Sequence, residues 1–168
     1  MSSKTIPIAY SIALYRVTEK LLFVGDTENS DTKPEERDLP FNVKYKLQRN
    51  QDMLLKDYAF YESERTSLIK KLGVKKDDRL VVPEDKIEEY REELFKTIQI
   101  EVEHSFKTLT PEEVDSIKGD IKVTCEEMNL FIAYMVEDSD LVNDLGSDIK
   151  PSQDKDTEDA ENDAEDAV

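Results

Sequence analysis

The chain has almost none of the residues on which metal and nucleophile chemistry most often depend. Its 168 residues include one histidine, one cysteine, four glycines and no tryptophan. The single cysteine, Cys125, excludes a disulfide within the chain and indicates a reducing compartment. A zinc site of histidine and cysteine has too few ligands with His104 as the only imidazole, and a glycine-rich phosphate loop is missing. We therefore predict no metal, no cofactor and no enzymatic activity, and a structural role for His104.

Long apolar runs are also missing from the sequence. No stretch approaches the roughly 20 apolar residues that span a bilayer. The N-terminal apolar run over residues 6–14 is soon followed by Arg16, Glu19 and Lys20, and no small-residue cleavage site comes after it. We therefore predict neither a signal peptide nor a membrane partner.

Negative charge is plentiful and is concentrated at the C-terminus. The net charge is −17, and residues 137–168 hold 13 acidic residues against 2 lysines. A chain this acidic repels phosphate, so we predict that nucleic acid is not a partner. A segment with so few apolar side chains cannot offset the entropy of ordering. The predicted organisation is one domain over 1–137 and a disordered acidic tail over 138–168.

Apolar residues at helical spacing predict a long helical hairpin in the first half of the domain. The first helix covers about 7–24 and is followed by a polar loop, 25–38, that we expect to be mobile. The second helix has about 30 residues and ends at Gly73 as its C′ residue. Its near-heptad apolar stripe predicts antiparallel packing on the first helix and leaves half of the stripe for another element to cover.

The second half of the domain mixes shorter elements. Residues 74–83 read as a linker with a short apolar centre, and a third helix begins near Glu84. Alternation over 98–106 predicts a strand that pairs with residues 121–123 in a two-stranded ribbon. Thr110 and Thr124 begin two further helices, each with a glutamate three residues later. The predicted fold class is mainly α, of the α+β kind.

Two motifs on the long predicted helix carry a resemblance to a known family. They are Leu39-Pro40-x-x-Val43-x-Tyr45-Lys46-Leu47-x-x-Asn50 and Tyr61-Glu62-x-x-Arg65-x-x-Leu68, the second lying shortly before Gly73. With the elements around them, they make the chain over about 1–137 similar to a family of small phage and prophage proteins of unknown function. The resemblance leaves out the acidic tail and the loop 25–38. It implies a phage-encoded protein that acts in virion assembly or on the host, and it implies no site residues.

The last predicted helix is the strongest candidate for an interaction surface. Its residues 130–136 are all apolar or aromatic, and such a helix lies either at the centre of a core or against a partner. Burial in its own domain and contact with a partner or a second copy both remain open. A smaller candidate lies on the back of the long helix. The predicted partner-binding residues are Leu130, Phe131, Tyr134, Met135, Met53 and Phe60.

Arg65 stands out because it falls within the apolar stripe of the long helix. A buried guanidinium must be paired or stacked, and Glu62 lies one turn earlier. We interpret the two residues as a structural ion pair. An anion-binding role for Arg65 and simple extension of its side chain to solvent are the alternatives.

These observations predict a non-enzymatic, phage-encoded accessory protein that binds another protein. It would act in the cytoplasm of the infected host cell or in the virion. One version is a factor in virion assembly, in particular of the tail. The other is a host-directed inhibitor, of anti-defence or DNA-mimic type, that occupies a basic groove of a nuclease or polymerase. DNA mimics usually need acidic residues on a rigid surface, so their concentration in the C-terminal tail weighs against the second version.

Overall fold

A computed structural model describes residues 2–24, 34–76, 79–119 and 121–137 of the chain. These residues form five helices and three small antiparallel sheets, and 63% of them are helical. The mainly α fold predicted from the sequence is therefore confirmed. The predicted tail over 138–168 and residues 25–33 of the predicted loop lie outside the described residues.

The helices and strands follow one another in an order that begins with a strand and ends with a helix. The helices are α1 Ile8–Leu22, α2 Phe41–Leu72, α3 Glu84–Ile98, α4 Pro111–Asp115 and α5 Cys125–Met135. The strands are β1 Ser2–Pro7, β2 Phe23–Val24, β3 Glu35–Glu36, β4 Val74–Lys76, β5 Arg79–Val81 and β6 Glu101–Phe106. The strands pair β1 with β6, β2 with β3, and β4 with β5.

The helix α2 has the length that the sequence predicts. Its 32 residues extend about 48 Å at 1.5 Å per residue. Gly73 follows it with φ −74° and an extended backbone, and so lacks the left-handed conformation expected of a C′ glycine. Glycine is favoured here because the backbone of residue 73 lies close to the Ile69 carbonyl oxygen. Its N–H donates to that oxygen at 2.8 Å, and a Cβ would clash with the same oxygen.

Two different helices cover the apolar stripe of α2. At the start of α1, Ile8 shares a buried cluster with Tyr61, and further along Tyr15 stacks on Tyr58 with ring centroids 4.7 Å apart. Residues later in α1 therefore contact residues earlier in α2, so the two helices run antiparallel, as predicted. The helix α3 packs on the second half of α2, where Tyr90 is hydrogen-bonded to Arg65. The helix α3 is therefore the additional element that was predicted to cover the apolar stripe of α2.

The strand pairing differs from the prediction. The strand β6 pairs antiparallel with β1, in a register that runs from Ser2 opposite Phe106 to Pro7 opposite Glu101. Residues 121–123 form no strand, and Ile121 and Val123 instead pack on the edge of the core. The first helix accordingly begins at Ile8, because residues 2–7 are needed by the sheet. The two partners are about a hundred residues apart, so no local pattern indicates their pairing.

The main core lies where α1, α5, β6 and the first half of α2 meet. Its fully buried members include Leu14, Leu47, Phe106, Phe131 and Met135. The helices α4 and α5 are anchored at their starts by the two predicted capping boxes. In each box a threonine side chain accepts from the backbone N–H of the glutamate at N3, whose carboxylate accepts in return from the threonine N–H.

A buried arginine joins three parts of the chain. Arg37 Nε donates to the Leu21 carbonyl oxygen at 3.2 Å, and one of its terminal nitrogens donates to the Lys118 carbonyl oxygen at 3.0 Å. The bond to Leu21 satisfies a carbonyl group left open at the C-terminal end of α1, and the bond to Lys118 ties the segment after α4 to it. Gly119, with φ 108°, lies against the guanidinium and leaves no room for a Cβ. Arg37 falls within the loop 25–38 that the sequence predicts to be mobile. The C-terminal end of that loop is therefore fixed to the body of the protein.

Candidate functional site

The helix α5 is a core helix of this domain. Leu130, Phe131 and Met135 are buried in the main cluster, and Phe131 and Met135 have no exposed surface. The prediction that these three side chains form a partner surface is wrong, because contacts within the chain already enclose them. Tyr134 is half-buried between Tyr10, whose ring centroid is 6.1 Å away, and the Lys4 ammonium, 5.2 Å from the Tyr134 ring centroid.

The two candidates on the back of α2 have different environments. Met53 is half-buried and packs against the main core, so it does not offer a free surface. Phe60 is exposed and belongs to neither buried cluster. The pair thus does not form a joint apolar face, and Phe60 alone remains accessible to a partner.

Arg65 is less buried than its place in the apolar stripe suggests. Its side chain is 43% exposed, and a terminal nitrogen lies 3.6 Å from the Glu62 carboxylate. Burial lowers the pKa of Arg65, but the hydrogen bond with Tyr90 and the charge of Glu62 outweigh it and raise that pKa. The residue therefore has the predicted partner and also a second one on α3. The expectation of a core guanidinium is corrected, because one side of Arg65 faces solvent.

The only histidine lies in a buried polar cluster that joins α1, α2 and β6. His104 Nε2 is 2.7 Å from the Asp57 carboxylate and 3.2 Å from the Ser11 hydroxyl oxygen. A serine–histidine–aspartate triad needs the carboxylate on one ring nitrogen and the serine on the other. Here both partners approach the same nitrogen, Nε2. His104 is only 4% exposed and Ser11 is fully buried, so a substrate has no access to the hydroxyl.

The described residues contain neither a metal-ligand cluster nor a membrane-spanning helix. Among residues 2–24, 34–76, 79–119 and 121–137, no three histidine, cysteine or carboxylate side chains come together as metal ligands. Within those ranges, no helix is both long enough and apolar enough to cross a bilayer.

Among the described residues, the hairpin of β4 and β5 combines several exposed apolar side chains. All six of its strand residues are exposed, and Val74, Leu80 and Val81 are between 42% and 50% exposed. Val74 lies opposite Val81 and Lys76 lies opposite Arg79. Side chains alternate between the faces of a strand, so these four share one face and Leu80 lies on the other. Both faces therefore carry exposed side chains.

The hairpin is also a basic region of an acidic chain. Residues 70–81 hold five basic and two acidic residues, a net charge of +3 within a chain of −17. The basic residues are Lys70, Lys71, Lys75, Lys76 and Arg79. Lys70 and Lys71 lie in the last turn of α2, where positive charge also stabilises the helix dipole. The three basic residues of the hairpin itself have no such role within a helix.

The next helix, α3, has the opposite charge. Five of its carboxylates, Glu84, Asp85, Glu88, Glu89 and Glu92, are exposed. At 100° per residue these positions fall on one side of the helix, opposite the half-buried Tyr90 and Leu94. A cationic hairpin and an anionic helix face thus follow one another along the chain, separated by residues 82–83.

The hairpin lies where the sequence predicts a linker, residues 74–83, so that prediction is corrected. Val74 on one side and the short run Leu80-Val81-Val82 on the other are β-prone, and Asp77-Asp78 lies between them. Short β-branched runs around a two-residue connection are the sequence signal for a hairpin. The lysines within the runs interrupt that signal. The exposure of both faces is a tertiary property that no local pattern indicates.

No protein family model, no curated protein and no solved structure matches this chain.

Proposed function

We propose that the protein is a non-enzymatic binding protein whose docking site is the β4–β5 hairpin. The observation that carries the proposal is the exposure of Val74, Leu80 and Val81 on a hairpin with both faces in solvent. An isolated two-stranded hairpin is marginally stable in water, and a third strand or a covering surface stabilises it. A partner that covers these side chains gains the free energy of apolar burial, about 25 cal/mol per Å².

The charge of the hairpin selects the partner. A net charge of +3 over residues 70–81 favours an acidic protein segment and speeds its approach. A nucleic acid would also meet positive charge there, but the remaining negative charge of the chain repels its phosphates. The proposed partner is therefore a protein that presents an acidic, extended segment with some apolar side chains.

The test is photo-crosslinking in the cells that make the protein, with a photoreactive amino acid replacing Leu80 in the full chain. We expect one dominant protein adduct. The matched control places the same group at Leu55, which is similarly exposed, at 45%, but lies on α2. Equal adducts from both positions would argue against a docking site at the hairpin. Lys76→Glu in the Leu80 variant should reduce the adduct severalfold.

The biological setting follows from the resemblance to small phage proteins and is likewise a proposal. A virion-assembly factor would bind a structural protein of the particle, in the infected cell or the virion. Mass spectrometry of purified particles separates this role from a host-directed one. An assembly protein that stays in the virion should be detected in proportion to the capsid, whereas a host-directed inhibitor should be absent.

The acidic face of α3 favours a second candidate, a host-directed inhibitor that occupies a basic groove. Five carboxylates over residues 84–92 extend along about 12 Å of helix axis. That spacing is close to the one charge per roughly 3.4 Å of a single DNA strand. In α3 the carboxylates are held on a regular helix. Replacing Glu84, Glu88 and Glu92 by Gln should abolish inhibition of a host nuclease, while neutralising acidic residues over 154–166 should leave it unchanged.

A further inference from the structure

The hairpin has open edges as well as exposed faces. Each strand of a two-stranded sheet has one edge whose N–H and C=O groups are unpaired within the sheet. Among the described residues, the sheet of β4 and β5 contains no third strand. An extended segment of a protein chain can pair with such an edge through its backbone and can place acidic side chains beside the lysines.

The chain itself contains an acidic segment that suits this edge. Residues 138–168 hold 12 acidic residues and 2 lysines, and 8 of the acidic residues lie within 154–166. The hairpin region at +3 and this segment at −10 are complementary in charge. Each exposed ion pair contributes only a few tenths of a kcal/mol and is weakened by salt, so several pairs must act together. A second copy of the hairpin is disfavoured as occupant because its charge has the same sign.

The position at which the acidic segment begins is fixed by the core. Glu137 donates its N–H to the Leu109 carbonyl oxygen at 2.8 Å, and two residues earlier Lys107 is bonded to Asn50 of α2. The segment therefore leaves the body near Asn50. Gly73 lies 23 residues further along α2, about 35 Å away at 1.5 Å per residue.

The length of the segment matches this distance. A chain of 31 residues without regular structure has a root-mean-square span of roughly 30 Å and can extend to about 100 Å. The effective concentration of a tethered ligand is highest when the span of the tether equals the distance to the site. Residues 154–166, with 16 residues between them and Glu137, lie well within reach of the hairpin.

We propose that residues 154–166 dock on the β4–β5 hairpin of the same chain and compete there with the partner. This inference builds on the proposed binding role of the hairpin and adds its regulation. Alanine is the only apolar residue type within 154–166, so the segment neutralises the lysines without covering Val74, Leu80 and Val81. A partner with larger apolar side chains displaces it, whereas a partner that is merely acidic does not. The segment thus acts as a filter against nonspecific acidic proteins.

The first test is nuclear magnetic resonance of the full chain labelled with ¹⁵N. The comparison is between the wild type and a variant in which the acidic residues of 154–166 are replaced by Asn or Gln. We expect shifts of the backbone amide signals of β4 and β5, and the same shifts in the wild type on addition of about 0.5 M NaCl. The amides around Lys56 and Lys122, which are exposed lysines elsewhere on the body, serve as the control. Unchanged hairpin signals, or equal changes around the control lysines, would overturn the inference.

A carbodiimide crosslink separates contact within one chain from contact between two. A mixture of ¹⁴N and ¹⁵N full chains should give crosslinks between hairpin lysines and residues 154–166 in which both peptides carry the same isotope. Mixed-isotope crosslinks in statistical proportion would mean that another copy supplies the segment, and would overturn the intramolecular contact.

A synthetic peptide of residues 154–166 provides the last test. It should bind the neutralised full-length variant at the hairpin and bind the wild type at least tenfold more weakly, because the tethered segment already occupies the site. Equal affinity for both proteins, or no binding to either, counts against the inference.

The proposed function has a separate readout. If a partner adduct forms at position 80 while the hairpin signals stay fixed, the function stands and the regulation fails. If the hairpin signals shift but no partner adduct forms, the contact with residues 154–166 stands and the proposed function fails.

Discussion

The two halves of α2 lie in very different surroundings. The first half, up to Leu54, belongs to a cluster of 14 buried apolar residues shared with α1, α5 and β6. The second half meets a cluster of only three, namely Ile8, Ile12 and Tyr61. No residue of α2 between Tyr61 and Leu72 is buried, and the six strand residues of the hairpin that follows are exposed.

This difference separates stability from recognition along a single helix. Most of the free energy of folding comes from apolar burial, so it is concentrated in the half with the larger core. The thinly packed half has lower local stability and can adapt to a partner without unfolding the body. The basic β4–β5 hairpin and the acidic face of α3 come directly after this half of α2 in the chain. The following variants test the comparison, from the largest expected effect to the smallest.

Phe131→Ala should give the largest loss. The ring is fully buried in the main cluster, and its removal leaves a cavity that the surrounding helices fill only in part. We expect the free energy of unfolding to fall by about 3–5 kcal/mol, as measured by chemical denaturation. The control is Phe60→Ala on the exposed side of α2, which should change stability by less than about 0.5 kcal/mol. A stable Phe131→Ala protein with weaker self-association on light scattering would restore the partner role of α5.

Asn50→Leu should give the next largest loss. The Asn50 side chain donates to the Lys107 carbonyl oxygen at 2.9 Å and accepts from the Lys107 N–H at 2.8 Å, with almost no exposed surface. Leucine fits the space but removes both bonds to the Lys107 backbone, at a cost of about 2–4 kcal/mol. Asn50→Asp keeps the acceptor but loses the donor, and it buries a carboxylate whose second oxygen faces the Lys107 carbonyl oxygen, so it should also destabilise the fold. If thermal melting shows Asn50→Leu to be as stable as the wild type, the bonds to Lys107 contribute little.

The parts of the fold that were predictable from the sequence are those with local signals. The stripe on α2, the start of α3 and the capping boxes at Thr110 and Thr124 each depend on residues within one or two turns of each other. The pairing of β1 with β6 depends on contacts a hundred residues apart, and the predicted pairing of β6 with residues 121–123 is wrong. The residues of β1 show no strict alternation that would have indicated a strand.

The candidate site was harder to predict because burial decides it. The apolar character of α5 is compatible with a core helix and with an interface, and only the positions of α1 and β6 decide between them. The hairpin was missed for the opposite reason. Its apolar residues are few and are mixed with lysines, so the signal lies in their exposure. Arg65 lies between these cases, since its partner Glu62 was predicted and its partner Tyr90 was not.

Acid should weaken the well-packed half through its capping boxes. Burial raises the pKa of Glu127, but hydrogen bonds from Lys20 and Thr124 outweigh it and lower that pKa below the usual 4.5. The carboxylate therefore contributes stability above about pH 4.5, and that contribution is lost as the pH falls through the lowered pKa. Glu127→Gln should cost about 1 kcal/mol at neutral pH and should flatten the loss of stability below pH 4.5. The control, Glu126→Gln, lies beside it but outside the box, and its stability curve should keep the wild-type shape.

Arg65→Leu tests the second half of α2. The guanidinium is paired with Glu62 and Tyr90 but is 43% exposed, so solvent screens much of the interaction. We expect a loss of about 1 kcal/mol or less in the free energy of unfolding. A loss near 3 kcal/mol would mean that the residue is desolvated in solution. Full stability combined with loss of biological activity would favour the anion-binding alternative instead.

Leu80→Ser should have the smallest effect on the fold and a large effect on binding. The side chain is 48% exposed on β5 and belongs to neither buried cluster, so its removal should change the free energy of unfolding by less than about 0.5 kcal/mol. Loss of an apolar contact at the centre of an interface commonly weakens association by about 1–2 kcal/mol or more, which is at least fivefold to thirtyfold in the dissociation constant. Binding would be measured by titration calorimetry against the partner recovered by crosslinking. Leu55→Ser on the exposed side of α2 is the matched control, and it should leave both stability and binding unchanged. If both serine variants bound the partner as tightly as the wild type, the recognition surface would lie outside the hairpin, and the acidic face of α3 would be the next region to test.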